Sequence, residues 1–222
     1  RETERLEKTG KAENTLVIFT SDNGPETLRR YRGAGRSFGV PDPLRGMKLW
    51  TTEAGFRVCG IAQWRGQITA GQTIDAPVSS LDFLPTFCEL AGAEIPNDLS
   101  LDGISVAANF GAENLERPKP LIWCYYNSIN ENRVAMRHED WKVIAKLNGG
   151  NFPKTQNLHT GNADAAKSAK LTDIEIYNVA EDIDESEELS AANPEKLAQL
   201  QQLLESAYAD LIADSPVWKP AS

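Results

Sequence analysis

Two adjacent oxygen-bearing side chains, those of Asp22 and Asn23, follow a short apolar run in the sequence. A carboxylate and an amide carbonyl are hard-oxygen ligands, which suit Ca²⁺ or Mg²⁺ better than zinc. Because neighbouring side chains of a strand point to opposite faces, the two can meet on one ion only if the chain turns there. Gly24 and Pro25 supply such a turn. An ordinary Asx turn that closes a strand would use the same residue types, so the pair alone leaves both interpretations open.

A basic segment follows this pair. Between residues 29 and 48 the only acid is Asp42, whereas the basic residues are Arg29, Arg30, Arg32, Arg36, Arg45 and Lys48. A basic loop directly after a candidate metal pair indicates an anionic ligand, and a solvated loop without a partner is the alternative.

The elements that must position these residues begin with the apolar run at residues 15–20. The run has no alternation, which predicts a strand buried on both faces, and in α/β folds the chemistry lies just past the carboxyl end of such strands. A second strand is predicted at about residues 58–64. Ser79 and Ser80 predict the start of a helix that Gly92 closes. The apolar face of this helix is predicted to lie in the core, and it consists of Leu84, Phe87, Cys88 and Ala91.

The pattern changes near residue 117. Short strands predicted at 121–126, 133–137, 141–146 and 175–178 are separated by polar turns, and the middle two form a hairpin. An apolar stripe predicts a long helix over 193–211. The sequence therefore predicts an α/β domain over residues 1–117, followed by a small antiparallel sheet with a C-terminal helix over residues 118–222.

Composition excludes some classes of function. The chain has 222 residues, a formal net charge of −9 and a pI near 4.9, which argues against a general nucleic-acid binder. No apolar run approaches the length of a membrane span. The three cysteines, Cys59, Cys88 and Cys124, are too scattered for a disulfide framework or a zinc knuckle, and we expect them to be buried as small hydrophobic residues.

Six segments, in order and with similar spacing, resemble the formylglycine-dependent sulfatase family over residues 14–211. They are TLVIFTSDNGPE, LRGMKLWTTEAGFRVCGIAQWRGQITAGQ, APVSSLDFLPTFCELAGAEIP, LDGIS, RVAMRHEDWKVI and EIYNVAEDIDESEELSAANPEKLAQL. The resemblance implies the C-terminal part of an alkaline-phosphatase-like α/β sandwich, followed by the small antiparallel subdomain.

The resemblance also implies roles for individual residues. Asp22 and Asn23 would be two of four side-chain ligands of a Ca²⁺ ion (Mg²⁺ in some members), and Lys48 would contact the sulfate group. The parent protein would hydrolyse sulfate esters of an aryl or carbohydrate substrate, either a small molecule or a polysaccharide. Its expected location is the periplasm, the lysosome or the cell exterior.

The sequence departs from the family pattern in two ways. Met47 and Leu49 replace the glycines that usually flank the lysine, so bulkier neighbours could shift its loop. The Cys-x-Pro-Ser-Arg motif that yields formylglycine does not occur in the chain. We therefore expect the formylglycine to lie in an N-terminal half that would act as a partner, and the fragment alone to be inactive. The alternatives are a non-catalytic module that binds anionic glycans and a phosphatase or phosphonate hydrolase of the same superfamily.

Overall fold

The computed structural model of the chain describes residues 2–29, 32, 38–111, 117–155 and 157–219. Its helices and strands, in chain order, are α1 (Glu2–Lys8), β1 (Val17–Phe19), α2 (Glu53–Phe56), β2 (Ile61–Gln63), α3 (Phe83–Ala91), β3 (Leu121–Cys124), β4 (Val134–His138), β5 (Trp141–Leu147), α4 (Ala163–Lys167), β6 (Leu171–Asn178) and α5 (Pro194–Asp214). No helix in these described ranges is both long and apolar enough to cross a membrane.

The chain divides into two compact units, each built from two stretches of sequence. The first unit comprises Arg1–Ser21 and Cys59–Lys119, and the second comprises Asp22–Val58 and Pro120–Ser222. The sequence-based boundary between residues 117 and 118 concerns the domains of the full-length protein and stays a prediction.

In the first unit, β1 pairs antiparallel with β2, with Ile18 opposite Ala62. The expectation that residues 15–20 are buried on both faces is wrong for this structure, because Phe19 is 63 % exposed. A two-stranded ladder covers one edge of a strand and neither of its faces. The described residues of the unit supply no layer over this side chain.

Helix α3 starts and ends as its sequence predicts. The Ser79 hydroxyl accepts from the Leu81 N–H, the Asp82 carboxylate accepts from the Ser79 N–H, and Gly92 ends the helix with φ +64°. The prediction that its apolar face is core is wrong, since Leu84 and Phe87 are exposed. With Leu16, Ile18 and Trp64, Phe87 instead lines an open apolar groove.

The second unit contains a four-stranded antiparallel sheet in the order β3-β4-β5-β6. The predicted hairpin is confirmed: β4 and β5 pair from His138 opposite Trp141 to Val134 opposite Ala145. Side chains alternate between the two faces of β5. One face packs Val143, Ala145 and Leu147 against α5, whose buried residues Leu200, Leu204, Tyr208 and Ile212 recur every four positions.

The other face of this sheet carries a smaller cluster. Ala135, Ile144 and Tyr177 pack there against Phe56, and Phe56 stacks on Trp123 with ring centroids 4.1 Å apart. This second face therefore holds the segment that contains α2. The architecture, an antiparallel sheet with a C-terminal helix after an α/β portion, agrees with the sequence-based fold class.

The cysteines differ from the sequence-based expectation. Cys59 is exposed, because it precedes the short and exposed strand β2, whereas Cys88 and Cys124 are half-buried. Burial raises the pKa of the Cys124 thiol to about 11. All three are free thiols.

Candidate functional site

The candidate metal pair lies on a bend just after β1. Asp22 is exposed and Asn23 is half-buried, and the Asn23 side-chain amide donates to the Gly24 carbonyl at 3.1 Å. Gly24 is buried, and its N–H donates to the Gly55 carbonyl at 3.1 Å. A Cβ at this position would come within 1.6 Å of the Ala54 carbonyl oxygen. Only glycine allows this approach, so the backbone after the pair is held directly against α2.

Lys48 joins the same pair of segments. Its N–H donates to the Pro25 carbonyl at 3.0 Å, and the neighbouring Met47 is buried and accepts from the Thr27 hydroxyl at 3.1 Å. The structure thus places Asp22, Asn23 and Lys48 on two backbone segments that hydrogen-bond to each other. The Lys48 side chain is half-buried, as expected for a long side chain with an apolar stem and a polar head.

The donor set of this bend fits a hard cation. An exposed carboxylate and a neighbouring amide are ligands that Ca²⁺ and Mg²⁺ accept. In the described ranges, no group of three or more His, Cys, Asp or Glu side chains is arranged to hold a metal ion. Asp22 and Asn23 would therefore form part of a ligand set that needs further donors.

Two residues near Lys48 adopt backbone conformations that favour glycine. Leu49 has φ +72° and Gly46 has φ +90°. Leu49 thus has the left-handed backbone that glycine adopts at least cost, at a position where the resemblance to the family implies a glycine. Two bonds fix it: the Leu49 carbonyl accepts from the Ile129 N–H at 3.0 Å and from the Ser128 hydroxyl at 3.3 Å.

The loop that carries Lys48 is closed at its base. The Arg45 carbonyl accepts from the Thr52 hydroxyl at 2.7 Å and from the Ala54 N–H at 3.0 Å. These bonds bring together the two ends of a loop, residues 45–54, that we call the lysine loop. A closed base leaves few ways for the loop to move except as a unit.

Three buried ionisable side chains meet at the C-terminal end of the lysine loop, which itself supplies one of them, Glu53. Lys142 on β5 is fully buried, and its ammonium lies 2.9 Å from Glu53 Oε1 and 3.6 Å from Glu185 Oε1. Glu185 Oε2 accepts from the Glu53 N–H at 2.8 Å. The ammonium also lies 3.9 Å from the centre of the Phe56 ring. We call Glu53, Lys142 and Glu185 the buried ion cluster.

The two carboxyl groups of the cluster differ in acidity. Burial opposes ionisation of Glu53, but the Lys142 charge and hydrogen bond outweigh it, with help from Arg137 and Arg57, so its pKa is lowered. For Glu185 burial dominates and raises the pKa, although Lys142 and the Glu53 N–H favour the ionised form. Of the two carboxyl groups, Glu53 is the more acidic, and it is therefore the main counter-charge of Lys142.

Arg45 belongs to the basic segment but is engaged within the unit. Its guanidinium donates to the Tyr177 hydroxyl at 3.1 Å and to the Glu185 carbonyl at 3.2 Å. Arg29 and Arg32 are exposed. Arg30 and Arg36 lie outside the described residues. Both bonds use the Nη1 nitrogen of Arg45, so the guanidinium is anchored in the unit while its other N–H groups take no part in these bonds.

Sequence reasoning missed the buried ion cluster. Glu185 stands in the acidic stretch EDIDESEE, which is typical of a solvated loop, yet it is only 2 % exposed. Lys142 carries a weak signal, because it is a lysine next to Val143 and Ile144 in a strand whose one other charged residue is Lys146. A charge in such a strand needs a buried partner, but the sequence alone does not say which acid supplies it.

Comparison with known proteins adds family information to this geometry. A family model described as Sulfatase matches residues 3–93. Human arylsulfatase A is 36 % identical over 203 residues, which cover 87 % of this chain and 38 % of that protein. The chain thus spans well under half the length of this relative.

Solved structures show the same fold. The structure of PsFucS1 sulfatase from Pseudoalteromonas sp. has a TM-score of 0.69 at 26 % identity, covering 95 % of this chain and 40 % of the other. The structure of BT4656 in complex with its substrate D-glucosamine-2-N,6-O-disulfate has a TM-score of 0.65 at 25 % identity, covering 97 % of this chain and 38 % of the other. Family model, relative and fold agree, and the chain belongs to the sulfatase family.

Proposed function

We propose that the full-length protein carrying this chain is a sulfuric ester hydrolase, and that this chain supplies part of its metal site and a sulfate-binding lysine. The observation that carries the proposal is the backbone pairing of the two candidate segments. Gly24 bonds to Gly55, and Lys48 bonds to Pro25. This pairing holds two hard-oxygen donors and one ammonium on adjoining segments of a sulfatase-family chain.

The chain's own residues would act on the sulfate group. Asp22 and Asn23 would hold a Ca²⁺ or Mg²⁺ ion, which when bound would draw negative charge from the sulfate oxygens. The Lys48 ammonium would offset the charge that develops as the S–O bond breaks. Because the closed base of the lysine loop fixes the backbone of Lys48, its charge would need little reorganisation during the reaction. A formylglycine supplied by sequence outside residues 1–222 would be the nucleophile.

The substrate class is part of the proposal. Because BT4656 binds a disulfated glucosamine, a sulfated carbohydrate is a reasonable first substrate to test, beside a simple aryl sulfate. The proposed location, in the periplasm, the lysosome or the cell exterior, suits such substrates.

Substitutions in the full-length protein test the two roles. We expect Asp22→Ala to abolish both turnover of an aryl sulfate and stabilisation by Ca²⁺ against heat. We expect Lys48→Ala to lower kcat/KM by on the order of 10²- to 10³-fold, as removal of a charge-stabilising donor does elsewhere. Lys119→Ala is the matched control, because Lys119 is an exposed lysine paired with exposed Asp102. Unchanged turnover in Asp22→Ala would remove the metal assignment, and a loss of only about twofold in Lys48→Ala would remove the lysine assignment.

A non-catalytic module that binds anionic glycans is the second candidate, favoured by the exposed side chains of Arg29 and Arg32. Such a module would bind a sulfated glycan with an affinity that falls steeply as salt rises, and it would release no sulfate. Measuring sulfate and phosphate release from matched esters separates this module from a sulfatase and from a phosphatase of the same superfamily.

A further inference from the structure

We propose that Glu185 and Lys142 are positioning residues that hold Lys48 in place through the lysine loop. This inference rests on the proposed function, in which Lys48 binds the sulfate group. Neither residue is placed to touch the substrate: Lys142 is fully buried and Glu185 nearly so. Both contact the lysine loop directly. Glu185 contacts both of its ends, and Lys142 contacts the end that contains Glu53.

Glu185 contacts both ends of the loop base. Its carbonyl accepts from the Arg45 guanidinium at 3.2 Å, where the loop begins, and its carboxylate accepts from the Glu53 N–H at 2.8 Å, where the loop ends. Arg45 and Glu53 are themselves linked through the bonds of Thr52 and Ala54 to the Arg45 carbonyl. One residue thus fixes both ends of a closed loop, with Lys48 between them.

Lys142 connects the loop to the sheet. It lies on β5, the strand that pairs with both β4 and β6, so its backbone is among the best-supported in the unit. Its ammonium binds the Glu53 carboxylate at 2.9 Å and lies against the Phe56 ring. The loop base is therefore tied to the sheet by a buried charge-assisted bond, which is stronger and more directional than an apolar contact.

Glu185 is in turn held by the turn that contains it. Its φ is +52°, an uncommon value for a residue with a side chain, and the Asp182 carboxylate accepts from the N–H groups of Ser186 and Glu187 at 3.1 and 2.8 Å. These bonds hold the acidic stretch in a tight turn that directs one of its acids inward. A turn built only for solubility would not need a buried carboxylate at a left-handed position.

A purely stabilising role would explain the cluster less well. Burying three ionisable groups is expensive, and packed apolar residues of similar size often give equal or greater stability. What an apolar cluster does not give is a defined orientation, because dispersion contacts are not directional. Apart from their contact with each other, the partners named above for the Glu185 and Lys142 side chains are Glu53 and Phe56, which lie in the lysine loop or just after it.

The experiment compares three variants of the full-length protein with the unaltered protein. Glu185→Ala removes the acceptor of the Glu53 N–H, and Glu185→Gln keeps a side-chain oxygen there. Val143→Ala is the matched structural control, because Val143 is the next residue on β5 and faces α5 instead of the loop. The measurements are kcat and KM for an aryl sulfate, competitive inhibition by inorganic sulfate, and amide hydrogen exchange over residues 46–54. All are made well below the melting temperature of each variant.

The expected pattern separates positioning from stability. Glu185→Ala should weaken inhibition by sulfate at least about tenfold, lower kcat by a similar factor and speed amide exchange in the lysine loop by at least about tenfold. Glu185→Gln should restore each value to within about threefold of the unaltered protein. Val143→Ala should lower the melting temperature and leave the other values unchanged. If Glu185→Ala does not fold, Glu185→Asp, which withdraws the carboxylate by one methylene, should show the same loss to a smaller extent.

Two results would overturn the proposal. One is normal sulfate inhibition and normal loop exchange in folded Glu185→Ala, or in Glu185→Asp where the alanine variant does not fold. The other is the same change in Val143→Ala. Absence of turnover and of sulfate inhibition in the unaltered protein would count against the proposed function instead, and the exchange data alone would then decide whether Glu185 holds the loop.

Discussion

The most informative single residue is Leu49, which follows the candidate sulfate-binding lysine. Its φ of +72° lies in the left-handed region, which costs a residue with a Cβ about 1–2 kcal/mol relative to glycine. The loop accepts this cost because the Leu49 carbonyl is bonded by Ile129 and Ser128. A glycine at this position would adopt the same conformation without strain.

Two substitutions separate backbone strain from side-chain packing. Leu49→Ala removes the packing of the side chain and keeps the Cβ, whereas Leu49→Gly removes both. We expect Leu49→Gly to be more stable than Leu49→Ala by about 1 kcal/mol, the reverse of the usual order for these residues. Denaturant unfolding of both variants measures this difference. A glycine variant less stable than the alanine variant would show that the backbone of Leu49 is not strained.

The raised pKa of Glu185 gives a second expectation at the residue scale. Since its folded pKa lies above its unfolded value, the stability linked to this group is present below the unfolded pKa, near 4.3, and is lost as pH rises through the folded pKa. Glu185→Gln removes this titration. Whatever the variant loses in hydrogen bonding, we expect its unfolding free energy relative to the unaltered protein to rise between pH 4 and pH 7.

Unfolding free energies of both proteins across this range give the measurement. Glu181→Gln is the control, because Glu181 is an exposed acid in the same stretch. A difference that stays constant with pH, or that falls as pH rises, would contradict the raised pKa.

At the scale of elements, the turn that leads into the N-terminus of α3 contains a buried ion pair. Asp82 is fully buried, accepts from the Ser79 and Ile104 N–H groups at 2.7 and 3.0 Å, and pairs with the Arg117 guanidinium. Asp82 thus completes the capping box of the 3-10 turn Ser80–Asp82, which leads into α3, and ties two other segments of the first unit to it. Gly103 packs as closely, since a Cβ there would come within 2.0 Å of the Leu81 carbonyl oxygen.

Asp82→Ala tests how much this buried ion pair contributes to the free energy of unfolding. Because it leaves the Arg117 charge without its buried partner, we expect a loss of about 3–5 kcal/mol in unfolding free energy. Asp102→Ala breaks an ion pair with Lys119 whose side chains are 74 % and 57 % exposed, and it should cost no more than about 1 kcal/mol. Equal losses in thermal or denaturant unfolding would show that burial does not distinguish the two pairs.

Local sequence signals predicted the helices and strands well, but they did not predict which residues pack around them. The hairpin of β4 and β5 and the helix α5 were predicted to within a few residues, because alternation, periodicity and caps are properties of neighbouring residues. The buried ion cluster joins positions 53, 142 and 185, and no local pattern relates residues so far apart. The exposure of Phe87 was missed for a similar reason, since a helical stripe shows that a face is apolar and does not show what covers it.

For the candidate site too, the sequence indicated the residues themselves but not the contacts that support them. The sequence indicated Asp22, Asn23 and Lys48 as a metal pair and a lysine, and the structure adds how backbone bonds at Gly24 and Pro25 join them. Their roles stay predictions. What the sequence did not provide is the support of the lysine loop, because that support consists of side chains whose partners are set by the tertiary fold.

At the scale of the whole chain, the two units differ in how well their apolar residues are covered. Seven core residues of β4 and β5 are fully buried, namely Val134, Ala135, Met136, Val143, Ile144, Ala145 and Leu147, whereas Phe19, Ile61 and Phe87 of the first unit are exposed. Local stability follows the number of buried apolar contacts around a hydrogen bond. We therefore expect a chain of residues 1–222 to open locally at β1 and β2 long before its four-stranded sheet opens.

Native-state hydrogen exchange of the isolated chain measures this difference. Amides of β4 and β5 should exchange more slowly than those of β1 and β2 by on the order of 100-fold or more, since local opening of a thinly covered ladder costs far less than opening a sheet with a packed core. The same exposed apolar groups should bind a hydrophobic dye and favour self-association at high concentration. Substituting Phe87→Lys should reduce both while leaving exchange in β4 and β5 unchanged, because Phe87 lies in the first unit and the sheet in the second. Equal protection of the two ladders, together with a monomeric chain that binds no dye, would mean that the apolar groups of the first unit are covered in solution.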